Sequence, residues 1–302
     1  MQIELNKENL PILKALTSET RIKIIELLQH QPANITTIAN ELKLTSAIVT
    51  RHVQQLEKAN IITTYVNQNS KGKQKFCKLK IDELQINFPA KIHKPYKKHE
   101  IDIRVGDFSN YQVVPTCGLA SQHDFIGRKD DPKHFMNPNK HDAQLLWFTE
   151  GFVEYNFLNP IEEGDEVQLI EISFEIASEF PENNFIWPSD VNFNLNQVNI
   201  GQWTVPGNFA DVRGQLNPNW WPNEYSQYGL LKTLRITPNE TQIDGEHISH
   251  YRIANLDFDS TFFTLRFSVL NTSENVGGLT LFGEHFGNHP QNIRVVFYYK
   301  HR

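Results

Sequence analysis

The chain has 302 residues with a net charge of −6, five tryptophans and two cysteines. That length is too great for one small core and suits two domains. No run of about 18 apolar residues is available to cross a bilayer, and the N-terminus lacks the basic, apolar, small-residue order of a signal peptide, so a cytoplasmic protein without membrane contact is expected. Cys77 and Cys117 have no spacing for a zinc site or disulfide framework and are read as reduced structural thiols, with no cofactor or metal expected. The overall charge hides a split: residues 1–100 hold 16 Lys/Arg and 9 Asp/Glu, whereas residues 101–302 hold 13 and 26. A basic module joined to an acidic one fits an N-terminal part that meets phosphates.

Apolar residues first recur at helical spacing: Leu10, Leu13, Leu16; Ile22, Ile25, Leu28; Ile35, Ile38, Leu42; and Ile48, Val49, Val53, Leu56. Four short amphipathic helices follow from this, with Ser18 and Thr45 as N-caps and Pro32 stopping the second. Residues 62–66, a polar turn at 67–73, and Phe76, Leu79 and Ile81 then read as a β-hairpin with a basic tip.

Residues 35–62 carry the informative pattern. A first helix ends near Leu42, with the small Ala39 where a second helix must cross closely. After a tight turn, Val49, Val53 and Leu56 supply the inner face of the second helix. Thr45, Ser46, Ala47, Thr50, Arg51 and Gln54 fall on its exposed side. In a helix-turn-helix that exposed end enters the major groove, where Arg51 can reach a guanine edge and Thr50 or Ser46 a phosphate or a thymine methyl. Lys71, Lys73 and Lys75 of the hairpin would lie along neighbouring backbone, adding affinity and salt dependence rather than sequence choice.

Over residues 10–81 the sequence resembles the winged-helix domain of ArsR-type bacterial regulators: LKALTSETRIKIIELL resembles their opening helices, and LTSAIVTRHVQQLEKANII their recognition helix and the start of the wing. The resemblance implies a homodimer on double-stranded operator DNA with two-fold symmetry. Metal-sensing members carry a cysteine motif where this chain has Ile38-Ala39-Asn40-Glu41-Leu42, which argues against metal sensing.

The domain boundaries expected are a winged helix-turn-helix over 1–85, a proline- and lysine-containing linker over 86–100, and an effector or oligomerisation domain over 101–302. In the last, Val191, Phe193, Leu195; Phe263, Leu265, Phe267, Val269; and Ile293, Val295, Phe297, Tyr299 alternate with polar residues as half-buried antiparallel strands do. Gly, Pro, Asn and Asp clusters between them indicate a jelly-roll-like all-β sandwich, so the fold class is α+β multidomain. Stretches such as DAQLLWF and GGLTLFGEHFGNHPQNIRVVFYY resemble a C-terminal domain of some ArsR-type regulators.

All five tryptophans fall in this domain. Trp203, Trp220, Trp221 and Tyr225 lie in or beside turn-rich sequence, where they can stack on a sugar face while Asn208, Asp211 and Arg213 fix its hydroxyls. The plain alternative is that these aromatics fill the core. A carbohydrate or other small polar effector is one reading of the domain; a dimerisation or protein-docking module without ligand is another. A carbohydrate-active enzyme using acids such as Glu150, Glu154, Glu171 and Glu175 is a third, although no nucleophile motif or phosphate loop accompanies them, and a non-enzyme is expected. Asp130-Asp131 reads as a solvated turn, and the His247/His250 and His285/His289 spacings lack the helix that would give them metal-binding meaning.

Overall fold

A computed structural model describes residues 1–67, 74–81, 84–87 and 96–301. The chain divides into two compact units, Met1–Pro95 and Tyr96–Arg302.

The first unit runs β1 (Gln2–Glu4), α1 (Leu10–Leu16), α2 (Glu19–His30), β2 (Ala33–Asn34), α3 (Ile35–Glu41), α4 (Ser46–Lys58), β3 (Ile62–Asn67), β4 (Gln74–Leu79) and β5 (Gln85–Asn87). Of the set that helical periodicity selects, Ile38, Val49, Val53 and Leu56 are all 0–1% exposed; in α2 the fully buried position is Ile24, whereas Ile22 is 37% exposed. Each buried residue contributes about 1.5–3 kcal/mol by leaving water. Ile48 departs from the expected apolar stripe; one position before Val49, it faces outward and is 43% exposed. The wing is a three-stranded antiparallel sheet in the order β2-β4-β3. β1 pairs in parallel with β5, a pairing that three-residue strands announce only weakly in sequence.

The second unit is antiparallel throughout. It contains β6 (Lys97–Ile103), β7 (Asn110–Ser121), β8 (Ala143–Leu158), β9 (Asp165–Ala177), β10 (Ser189–Leu195), β11 (Val198–Val205), β12 (Leu230–Ile236), β13 (Thr241–Ile243), β14 (Glu246–Ser249), β15 (Phe262–Val269), β16 (Leu279–Phe282) and β17 (Ile293–His301). One layer runs β11-β10-β15-β8-β7, and the other runs β6-β17-β9-β12-β13-β14. The long β8 serves both: Gly151–Leu158 pairs with β15, while Leu145–Phe148 pairs with β16, which also pairs with the end of β9. At the start of the first of these stretches Gly151 takes φ 115°, and its approach to the Gln112 carbonyl admits no side chain.

Aromatic rings join the layers. Phe174 of β9 lies 5.5 Å from Phe193 of β10 and 4.9 Å from Phe267 of β15, and Phe297 of β17 lies 5.6 Å from Phe263 of β15. All five are 0–1% exposed, and Phe193, Phe263, Phe267 and Phe297 are residues that the period-two alternation places inward.

The segment 86–100 differs from the expected linker: 88–95 lie outside the described residues, but 85–87 and 97–100 are strand. In β6, Ile101 and Ile103 pack inward and His99 stacks on Tyr299 at 4.9 Å, while Lys97, Lys98 and Glu100 stay exposed. Charged side chains are ordinary on an edge strand, and here they obscure the alternation.

Candidate nucleic-acid interface and aromatic pocket

α4 is placed by caps and by one arginine. Asn34 caps α3, its Oδ1 accepting the Thr37 N–H at 2.8 Å, and Thr45 caps α4 by accepting the Ile48 N–H at 3.4 Å. Between the helices Lys43 takes φ 54°, and the Leu44 N–H reaches back to the Ala39 carbonyl at 2.9 Å. Ala39 is 4% exposed at this crossing, where a larger side chain would separate the helices. Arg21 of α2 donates to the Ala15 and Lys14 carbonyls at the end of α1 and to Gln55 of α4, at 2.6, 2.7 and 2.6 Å. One guanidinium thus ties three helices together.

Thr45, Ser46, Ala47, Thr50, Arg51 and Gln54 are all exposed, on the side of α4 opposite Val49, Val53 and Leu56. The Thr50 hydroxyl donates to the Ser46 carbonyl at 2.7 Å, leaving its methyl and lone pairs outward. Burial, followed by the Arg21 and Arg51 guanidiniums, holds the His52 imidazole below its ordinary value. Exposed Ile48 adds an apolar contact to this face that the sequence reading assigned to the interior. Lys71 and Lys73 lie outside the described residues. Lys75 sits within β4 rather than at a hairpin tip, with its Nζ 3.4 Å from Glu57, which also accepts from the Thr64 hydroxyl.

The expected effector residues do not form one cluster. Trp203 lies inside β11, not in a turn; it packs on the main core with the Lys232 ammonium 4.4 Å from its ring centroid. Asn208 is fully buried and donates to the Ser178 carbonyl at 2.8 Å, so it holds backbone together. Arg213 donates to the Trp221, Pro218 and Asn223 oxygens and staples its own loop. Asp211 is exposed and accepts from Tyr228 at 2.6 Å. Turn-rich composition marks the loop over 206–229 but misplaces Trp203, and it does not distinguish side chains that build a loop from those that serve a ligand.

Trp220, Trp221 and Tyr225 do come together. With Phe125, Trp147 and Phe286 they form a second core, in which the Trp221 ring lies 5.2–6.0 Å from those of Phe286, Tyr225, Trp220, Phe125 and Trp147. Trp221 is 3% exposed, and its indole N–H donates to the Ser226 carbonyl at 2.9 Å. Beside this cluster opens a pocket whose lining includes Trp147, Trp221, Tyr225, Glu179, Thr116 and Thr280.

Glu179 is its deepest ionisable group, 8% exposed. Its Oε1 lies 3.1 Å from the Thr116 hydroxyl and its Oε2 3.2 Å from Thr280 Oγ1, which is also 3.0 Å from the Ser178 carbonyl. A threonine has one hydroxyl proton; when the carbonyl takes it, the contact with Oε2 requires a proton on Glu179. Burial acts the same way, pushing the Glu179 carboxyl up to about 8. Glu175, fully buried, rises to about 7 through burial, although the Gly229, Asn288 and His289 N–H groups all donate to it.

Both shifts are upward. Their contribution to stability is complete below the unfolded carboxylate range, near 4.5, and is lost as pH rises through about 7 and 8. Denaturation followed by tryptophan fluorescence reports this unit alone, because all five tryptophans lie in it. We expect stability to fall from pH 5 to 8.5 by on the order of a few kcal/mol, and Glu179→Gln, which fixes a neutral group there, to flatten the upper part of the slope. An unaltered slope in Glu179→Gln contradicts this.

Of the other acids that the sequence singles out, Glu171, Glu154, Asp130 and Asp131 are occupied. Glu171 pairs with Arg235 at 2.7 Å and accepts from Tyr298 at 2.8 Å; Glu154 pairs with Arg266 at 2.6 Å. Asp130 accepts the Cys117 N–H at 3.0 Å, while Asp131 caps a 3-10 turn and pairs with Lys133. Among the described residues no group of three or more His, Cys, Asp or Glu side chains is arranged to hold a metal. Both cysteines are buried and free, with burial pushing Cys77 up to about 11 and Cys117 up to about 12, as inert thiols require. Among the described residues no helix is long and apolar enough to cross a membrane.

Residues 18–64, from the start of α2 to the middle of β3, match the family model described as "Bacterial regulatory protein, arsR family". An uncharacterized HTH-type transcriptional regulator of Methanocaldococcus jannaschii is 39% identical over 49 residues, 16% of this chain and 52% of the relative. The chain thus spans about half the length of that curated relative. Among solved structures, HlyU from Vibrio cholerae is 20% identical, covering 26% of this chain and 84% of its own at a TM-score of 0.23. A carbohydrate-binding module in complex with calcium and xylotriose is 10% identical, covering 67% and 98% at a TM-score of 0.27. At such scores neither structure bears on how this chain works. The family match shows an ArsR-type helix-turn-helix in the first unit.

Proposed function

We propose that this protein is a transcriptional regulator that binds operator DNA as a homodimer through α4 and responds to a small polar effector in its β-sandwich unit. The observation that carries the DNA reading is the exposed run Thr45, Ser46, Ala47, Thr50, Arg51 and Gln54 at the capped start of α4, backed by a fully buried apolar face. In the major groove Arg51 reads a guanine edge, Ile48 and the Thr50 methyl meet thymine methyls, and the Ser46 hydroxyl donates to a phosphate. The positive balance of residues 1–100 supplies the attraction to the duplex, and the acidic remainder keeps the second unit off it. The effector acts only through a difference in its affinity for two arrangements of the winged helices.

The test is selection of bound duplexes from a random library by the full chain, with sedimentation of the complex. A two-fold sequence with half-sites one helical turn apart, bound by two copies, is expected. Recovery of an asymmetric site bound by one copy contradicts the dimer.

A further inference from the structure

We infer that the pocket beside Trp221 is a binding site for a single neutral sugar ring, with the indoles of Trp147 and Trp221 as its apolar wall and Ser226, Thr116, Thr280 and Glu179 as its hydroxyl-recognising floor. This rests on the reading of the second unit as effector-responsive and gives that effector a place and a chemistry. It also moves the site away from Trp203, Asn208, Asp211 and Arg213, which the structure commits elsewhere.

Three observations carry it. First, Ser226 lines the pocket, is 6% exposed, and its Oγ has no hydrogen-bond partner among the described residues. A buried hydroxyl left unpaired is costly, and a ligand hydroxyl relieves that cost. Second, the polar floor is built of hydroxyls. Thr116, Thr280 and Ser226 stand with the Glu179 carboxyl, whose charged form burial disfavours, and a polyol can meet such a set with its own hydroxyls.

Third, the charges that face Glu179 do not offer an ionic ligand a free deep partner. Lys129 is exposed and donates to the Tyr225 hydroxyl at 2.7 Å with its ammonium 4.6 Å from that ring centroid; Asp130 and Glu182 are exposed, and the Cys117 thiol nearby stays protonated. A ligand charge would therefore be buried against neutral groups, which costs more than burying a hydroxyl that is paired. Partly aromatic and with convergent polar groups, the pocket has the make-up of a small-ligand site.

The experiment titrates the full chain with D-glucose, D-galactose, D-xylose and N-acetyl-D-glucosamine, and with choline and putrescine as cationic controls, by tryptophan fluorescence and calorimetry into the millimolar range. At least one sugar should saturate. Ser226→Ala, which removes an unpaired hydroxyl and leaves the fold intact, should raise its Kd about tenfold, the loss of one neutral hydrogen bond. Affinity of the unsubstituted protein should fall as pH rises through about 8, and that of Glu179→Gln should not. Saturation by choline or putrescine alone, no saturation by any sugar, or sugar binding untouched by Ser226→Ala overturns the assignment. Sugar binding that leaves DNA affinity unchanged overturns the effector role while the site stands, so the two failures are separable.

Discussion

Arg51→Ala weakens binding of the selected operator by roughly 1–3 kcal/mol and relaxes preference at one base pair of each half-site, as expected for loss of a bidentate contact to guanine. The side chain stands on the exposed face of α4, six residues in from the Thr45 cap, and Val49 and Val53 on either side are fully packed, so its removal leaves the helix in place. Fluorescence anisotropy against the operator and against single-base variants separates the two effects. A base contact changes the ranking of the variants, whereas a phosphate contact lowers all of them together and reduces the salt slope by about one. Operator affinity and ranking both unchanged would remove Arg51 from the interface.

Trp221→Ala costs the second unit about 3–5 kcal/mol, the ordinary loss for deleting a fully packed aromatic. Five aromatic rings surround this indole and its N–H has a backbone partner, so its truncation leaves both a void and an unpaired Ser226 carbonyl. Denaturation read by the remaining tryptophans measures it. Arg51→Ala has no such effect on this unit, and Trp221→Phe, which keeps much of the apolar volume, loses less. A loss below about 1 kcal/mol in Trp221→Ala would mean that the cluster repacks freely and is a poor wall for any pocket.

The two units differ in how far they can be read from sequence. In the first, the contacts that shape the DNA-reading helix are mostly local, the Arg21–Gln55 hydrogen bond from α2 being an exception. Thr45 caps three residues ahead, Ala39 meets the next helix across a short turn, and Val49, Val53 and Leu56 repeat at helical spacing, so periodicity and caps suffice. Ile48 escapes because an apolar side chain beside a buried one reads as core whichever way it points. Ser18 precedes α2 as expected but makes no side-chain cap, its position having been right for backbone reasons alone.

In the second unit, alternation finds Phe193, Phe267 and Phe297 because a strand turns inward every second residue. It cannot find the pocket. Thr116, Glu179, Ser226 and Thr280 come from segments separated by tens to more than a hundred residues, which long-range contacts such as the pairing of β16 with both β8 and β9 bring together. Nor does composition tell a tryptophan that walls a pocket from one packed over a strand: Trp203 and Trp221 look alike in sequence, and only Trp221 joins the aromatic cluster.

The central claim is that α4 reads base sequence, and the most direct measurement is the affinity of the full chain for its selected operator against a scrambled duplex of equal length at physiological salt. A preference of about a thousandfold or more is predicted. Equal affinity for the two duplexes, with the same salt slope, would contradict it.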